Sequence, residues 1–236
     1  MFNLANLREK LKDYLFPVFC LGCKKEGQWI CADCVKRIEE TETTEFFDAK
    51  KFGIKILFSA LPYSEGSLSG RALKVFKYDF SEEIFDFFAP IIRNYFLKRR
   101  EYFENIDVII PVPLHPRRRA ERGFNQAEKI AEIIGDVLGK DAPADAIYRI
   151  KYTKNQARLN KTEREKNIAG AFEINKSSTT PLYSGVVLDK KYNFFDKKIL
   201  LVDDVFTTGA TMRECGRLFA NQKTKGVYAF TLFRGK

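Results

Sequence analysis

The sequence predicts an α/β domain with a mainly parallel sheet, preceded by a small knuckle closed by four cysteines. Three observations carry that expectation. From residue 54 onward, short apolar runs alternate with stretches of helical spacing, the pattern of strands joined by crossover helices. One run, Ile199, Leu200, Leu201 and Val202, is continuous rather than alternating, as in strands buried on both faces. Four of the five cysteines fall between residues 20 and 34 as two Cys-x2-Cys pairs. A length of 236 residues suits one substantial domain with an appendage. Residues 1–51 are assigned to an N-terminal helix, the knuckle and a linker, and residues 52–236 to the α/β domain.

Taken in order, residues 1–16 carry Leu4, Leu7, Leu11 and Leu15 at helical spacing and are expected to pack on the knuckle. In the knuckle, Cys20 and Cys23 form one pair and Cys31 and Cys34 the other, with Gly22 in the first turn. Each pair can place two thiolates on one ion, and together they close a tetrahedral zinc site with no position left for water, hence a structural one. A redox dithiol is the competing reading. Cys215 falls in a helix and reads as core. Residues 39–51 are polar and read as a linker. Residues 54–63 form a strand, and 68–78 a helix bearing Arg71, Lys74 and Lys77. Ser81 is placed as the N-cap of a long helix, with Glu82 and Glu83 in its first turn and Lys98, Arg99 and Arg100 at its end. Residues 107–113 form a strand broken by Pro111 and Pro113, followed by an amphipathic helix at 124–138. Short strands at 147–150 and 171–174 flank a charged segment. The strand at 199–202, a helix at 211–221 and a strand at 227–233 complete the domain. Residues 177–197 read as an extra hairpin without an assigned role.

The chemistry concentrates after residue 202. Asp203 and Asp204 follow the buried strand, then Val205, Phe206, Thr207, Thr208, Gly209 and Ala210, with Thr211 leading into a helix. Hydroxyls and backbone N–H groups at a helix N-terminus suit a phosphate, and Gly209 allows close approach. Adjacent carboxylates can accept hydrogen bonds from vicinal hydroxyls, as on a ribose. The loop is not a Walker A motif, because no Gly-Lys-Ser/Thr follows the strand. An ordinary acidic turn is the bland alternative. The ligand belongs at the carboxyl ends of the strands.

Two further loops point to the same ligand. Residues 111–126, PVPLHPRRRAERGFNQ, combine a proline-fixed turn with Arg117, Arg118, Arg119 and Arg122, and an arginine fork matches phosphate oxygens. His115 is the single histidine of the chain. Residues 152–172 are too charged to be buried. The net charge of +10 suits a polyanionic partner. No apolar run is long enough to span a bilayer, and residues 1–17 lack the features of a signal peptide, so a reducing cytoplasm is expected.

The stretch 199–211 resembles, position for position, the phosphoribosyl pyrophosphate (PRPP) motif of type I phosphoribosyltransferases. That resemblance implies the type I phosphoribosyltransferase fold. It puts Asp203 and Asp204 on the ribose hydroxyls, and Val205, Phe206, Thr207, Thr208, Gly209, Ala210 and Thr211 around the 5′-phosphate. It puts Val112, Pro113, Leu114 and His115, with Arg118 and Arg122, on the pyrophosphate together with Mg2+. The segment 152–172 then matches a closing hairpin, with Gln156, Arg164 and Asn167 reaching the substrate. Arg164 joins Asp203 and Asp204 among the catalytic candidates.

The whole chain is similar to the ComF family in motif order. The matching pieces are the cysteine pairs, Tyr63-x2-Gly66 before Lys77-Tyr78, PVPLHP with Arg118 and Arg122-Gly-Phe-Asn-Gln, then Gln156, Leu159, Arg164, Asn167 and Ala171-Phe172, and last VDDVFTTGAT. Arg119 departs from the family, which usually has an apolar residue there. The resemblance implies a cytoplasmic protein of natural competence that binds PRPP and single-stranded DNA and works with a competence helicase and recombination-mediator proteins. A nucleotide-salvage phosphoribosyltransferase and a non-catalytic PRPP-sensing regulator are the alternatives.

Overall fold

The computed structural model describes residues 17–39, 45–78, 83–153, 167–175, 178–181, 187–190 and 192–235. The helix expected over 1–16, the cap Ser81, and Gln156 and Arg164 lie outside the described residues.

A five-stranded sheet organises the domain. Its strands are β1 (Glu45–Asp48), β2 (Ile56–Tyr63), β3 (Val108–Pro111), β8 (Lys198–Phe206) and β9 (Gly226–Gly235), in the spatial order β1-β2-β9-β8-β3. The last four are mutually parallel, and β1 joins β2 antiparallel at the edge. The sheet therefore begins inside the segment that reads as a linker from its polarity.

Because side chains alternate across a strand, the central strands feed two separate cores. On one face Phe58, Ile109, Leu200, Val202 and Phe230 pack with Phe88, Tyr95, Phe96, Ile130 and Ile134. These come from helices α3 (Glu83–Lys98) and α6 (Gln126–Leu138), and α2 (Leu68–Tyr78) adds Ala72, Leu73 and Phe76 to the same core, with the short α4 (Arg100–Phe103) beyond α3. On the other face Leu57, Ile110, Ile199, Leu201 and Ala229 pack with Phe52, Met212, Cys215 and Phe219, the last three from α7 (Ala210–Ala220). Cys215 is fully buried, as its position in the helix implies.

The arginine run differs from its expected form. It is not a loop but a helix, α5 (Pro116–Arg122), with no buried residue. Pro116 occupies its first turn, and the His115 imidazole caps it by accepting from Arg117 N–H at 3.2 Å. Gly123, at φ 76°, ends it in a conformation other residues adopt only at a cost.

Two small hairpins complete the structure. β4 (Ile147–Arg149) pairs antiparallel with β5 (Phe172–Ile174), bracketing the charged segment as expected. β6 (Ser178–Pro181) pairs with β7 (Val187–Lys190), so the segment 177–197 does hold an extra hairpin. Before β1, Ala32–Glu39 forms helix α1 of the cysteine knuckle. Among the described residues, no helix is long and apolar enough to cross a membrane.

Candidate functional site

The site exists because β3 stops early. β3 pairs with β8 only as far as Pro111 opposite Val202, whereas β8 continues beside β9 to Phe206 opposite Arg234. Asp203 and Asp204 therefore lie within β8, not after it. From Asp203 onward one edge of β8 is free, and a cleft of about 500 Å³ opens there. It lies at the carboxyl ends of β2, β3 and β8, where open α/β sheets bind ligands.

Successive residues of a strand point to opposite faces, which separates the two carboxylates. Asp204 is buried and faces α2, where Lys77 Nζ lies 3.3 Å from its Oδ2. Asp203 turns to the α7 side. It retains some surface toward the cleft, but its carboxyl group is surrounded by protein. Burial, reinforced by the neighbouring Asp204 charge, pushes its pKa up to about 8, against the pull of the Asp204 N–H and Lys77. That N–H donates to Asp203 Oδ1 at 2.8 Å.

The loop after the acidic pair is shaped by packing beneath it. Gly209 sits at φ 75°, ahead of the first turn of α7, and its carbonyl accepts from Arg213 N–H at 2.8 Å. A Cβ there would come within 2.6 Å of the Phe52 ring and 2.9 Å of the Phe206 ring. Those rings meet edge to face at 5.4 Å. Gly209 is thus required both by backbone conformation and by close approach. Thr207, Thr208, Ala210 and Thr211 line the cleft beside it, as do Val205 and Phe206.

A basic wall faces this loop. Arg118 and Arg122 of α5 line the cleft together with Arg149 of β4. Arg118 donates to Thr153 O at 3.2 Å, and Arg149 donates to Thr153 Oγ1. Arg149 Nε is buried without a hydrogen-bond partner. Burial lowers the Arg149 pKa, and the Arg118 charge lowers it further, while Asp203 opposes the shift.

Val112, Pro113 and Leu114 also line the cleft. His115 does not; besides capping α5, it meets the Tyr152 ring edge to face at 5.1 Å. Arg119 points elsewhere and pairs with Glu128. Asn125 caps α6 by accepting from Ala127 N–H and donates to Val112 O at 3.0 Å. Gln126 donates to Phe76 O at 2.8 Å. Both amides of the Arg-Gly-Phe-Asn-Gln run therefore fix the basic wall to β3 and α2. Asn167, next to the segment outside the described residues, is not among the cleft's lining.

The sulfurs of Cys20, Cys23, Cys31 and Cys34 all lie within 4.8 Å of one another. Four thiolates about 2.3 Å from a tetrahedral ion are separated by about 3.8 Å, so the cluster can hold a metal such as zinc. Its surroundings fit anionic sulfur. Gly22 and Cys31 N–H groups approach Cys20 Sγ at 3.4 and 3.3 Å, and Arg37 donates to Cys34 Sγ at 2.8 Å. Cys20 and Cys34 are fully buried, within the same apolar cluster as the helical side of the sheet. Burial would raise Cys20, but backbone N–H donors outweigh it and hold the thiol near about 6. Burial and the other sulfurs push Cys34 up to about 12. Gly22 is obligatory here, because a Cβ would meet Cys34 Sγ at 2.5 Å. Arg71 of α2 donates to Leu21 O at 2.9 Å and anchors the knuckle to the domain.

The phosphoribosyl transferase domain family matches residues 81–236. The chain belongs to that family. The expected type I phosphoribosyltransferase fold with an N-terminal cysteine knuckle accords with this match, and the ComF resemblance is borne out by the relatives. A competence protein ComFC of Bacillus subtilis is 31% identical over 73% of this chain and 62% of its own. ComFC of Streptococcus pneumoniae is 27% identical over 91% of this chain and 87% of its own. Competence protein F of Haemophilus influenzae is 29% identical, and the chain spans 54% of its length.

Within this phosphoribosyl transferase domain, sequence reasoning passed over two cleft residues. Lys77 was visible as a helix residue, but its pairing with Asp204 depends on how α2 docks. Arg149 carries a signal in hindsight. It is the inward residue of an alternating Tyr148, Arg149, Ile150 pattern, so a cation in the core-facing register needed an explanation.

Proposed function

We propose that the protein binds PRPP, with Mg2+, in the cleft at the end of β8 and serves the handling of single-stranded DNA in natural competence. The observation that carries the PRPP reading is the division of charge within one cleft. A carboxylate pair and a glycine-hinged hydroxyl loop line it together with three guanidinium groups. Ribose hydroxyls suit the carboxylates, and a diphosphate suits the guanidinium groups. Asp203 and Asp204 orient the ribose and hold negative charge near C1, where a transfer reaction develops positive charge. Arg118, Arg122 and Arg149 receive the diphosphate, for which bound Mg2+ supplies further charge neutralisation. A structural zinc is the reading for the four-cysteine cluster. The competence role rests on the names of the relatives, and its partners, a helicase and recombination mediators, on the ComF resemblance alone. The excess of 41 Lys and Arg over 31 Asp and Glu suits a nucleic acid. A cytoplasmic location accords with reduced thiolates.

Calorimetric titration with PRPP and Mg2+ tests the reading. Wild-type protein is expected to bind, and the Asp203→Asn, Asp204→Asn double variant to bind at least about tenfold more weakly, because hydrogen bonds to charged groups are lost. Unchanged affinity in the double variant defeats the assignment. Pyrophosphate release across bases, nucleosides and DNA then separates a transferase from a PRPP-sensing regulator.

A further inference from the structure

The β4 strand and its continuation to Thr153 have two different faces. Ile147, Arg149 and Thr153 point inward, toward the core and the cleft. Tyr148, Ile150 and Tyr152 alternate with them and point out, at 43, 44 and 47% exposure. Three large apolar or aromatic side chains in a row on a solvent face are unusual, since scattered single residues are the norm. The row is also basic at one end. The Arg117 guanidinium lies 5.3 Å from the Tyr152 ring centroid and that of Arg118 5.9 Å, and the His115 ring packs edge-on beside it. Exposed Lys151 lies between Ile150 and Tyr152 in the chain. Two acidic groups border the row. Glu173 pairs across from Tyr148, and Glu121 lies 3.4 Å from the Tyr152 hydroxyl.

We propose that this row is a base-stacking platform for single-stranded DNA, set on the opposite face of the strand whose inner side chains line the cleft. The inference rests on the DNA reading above and adds its location and chemistry. Aromatic rings accept any base by its π-face, arginine adds cation–π attraction and phosphate contact, and the combination is tolerant of sequence. Residues four apart on a strand are about 13 Å apart, so a few nucleotides reach both tyrosines. A protein partner would call for a larger apolar patch, whereas this row is narrow and ends in the Arg117 and Arg118 guanidinium groups at Tyr152. Arg118 borders both the cleft and the Tyr152 ring, so Mg2+–PRPP can weaken oligonucleotide binding through that one guanidinium but leaves the rings and Arg117 open to the bases.

Fluorescence anisotropy on the full chain with a labelled oligothymidylate tests this. The Tyr148→Ala, Tyr152→Ala double variant is expected to bind about tenfold or more weakly, from the loss of two stacking rings. The Tyr148→Phe, Tyr152→Phe variant is expected to match wild type within about twofold, since the rings remain. An oligonucleotide of the same length with abasic sites is expected to bind wild-type protein weakly, which needs no variant to fold. Saturating Mg2+–PRPP is expected to leave oligonucleotide binding in place. Wild-type binding that the alanine pair leaves unchanged, equal affinity for the abasic strand, or complete displacement by PRPP each overturns the platform while DNA binding stands. No binding by wild-type protein at low salt overturns the DNA reading itself and the platform with it, and leaves the row to a protein partner.

Discussion

Replacing Gly209 by alanine is the sharpest test of how the phosphate loop is held. A non-glycine residue at φ 75° costs roughly 1–2 kcal/mol. The new methyl would stand 2.6 and 2.8 Å from Phe52 ring atoms and 2.9 Å from Phe206. Unstrained carbon contacts lie near 3.5–4.0 Å, and overpacking of this kind costs about 1–3 kcal/mol. The expected loss is therefore about 2–5 kcal/mol, with weaker PRPP binding as the loop is pushed off its support. Phe52→Ala alone should cost about 3 kcal/mol, near the low end for a buried ring. The two changes should not add. Removing the Phe52 ring takes away two of the three overlaps, so the double variant should be about 1–3 kcal/mol more stable than the sum implies. Urea unfolding of the four proteins, with midpoints and slopes compared, measures this coupling. Additivity within about 0.5 kcal/mol, or a Gly209→Ala protein as stable as wild type, would refute the packing account.

Three other outcomes are expected. Gly22→Ala should drive the cysteine cluster apart, giving less than one metal ion per chain by elemental analysis while the α/β domain keeps its unfolding transition. Arg149→Gln should weaken diphosphate binding yet leave stability unchanged or higher, because a desolvated cation repelled by Arg118 is removed. Asp203 gives a pH signature. Its folded pKa, about 8, is raised above the unfolded value, so its contribution to stability is present at acid pH and is lost as pH rises toward and through 8. PRPP hydroxyls donate to the ionised form, so affinity should increase over the same rise and binding below pH 8 should release a proton. Calorimetry in buffers of different ionisation enthalpy reads that proton, and Asp203→Asn should abolish it.

The sheet and the phosphate loop were legible because each is written locally. Ile199 to Val202 is an unbroken apolar run, and the glycine and threonines that follow have few other uses. The cysteine cluster was legible for the same reason. What escaped is nonlocal. Phe52, at the very start of the domain between Lys51 and Gly53, had no assigned role, yet it supports Gly209, some 150 residues away, and its carbonyl lies where a side chain on Gly216 would be. The edge strand β1 is short, and nothing in Glu45–Asp48 announces a partner until β2 is placed beside it. Helix α5 was hidden by composition: with no buried residue it has no apolar stripe, so periodicity could not reveal it. Lys77 and Arg149 belong to this class too, since a cation's value depends on which carboxylate or cation the fold puts opposite.

The charges of the cleft suggest why the site is held as it is. Asp204 is already balanced by Lys77, whereas Asp203 is held toward its neutral form by burial and by Asp204. In the same cleft, Arg149 is desolvated and repelled by Arg118 and Arg122, with its Nε unpaired. Asp203 offsets part of that repulsion, but each half remains electrostatically unfavourable on its own. A ligand carrying anionic phosphate at one end and hydroxyl donors at the other relieves both at once. A simple phosphate would satisfy the arginines but leave Asp203 unaffected. A simple nucleoside would do the reverse. On the PRPP reading, selectivity for a sugar bearing a diphosphate draws on charge imbalance already present in the free protein.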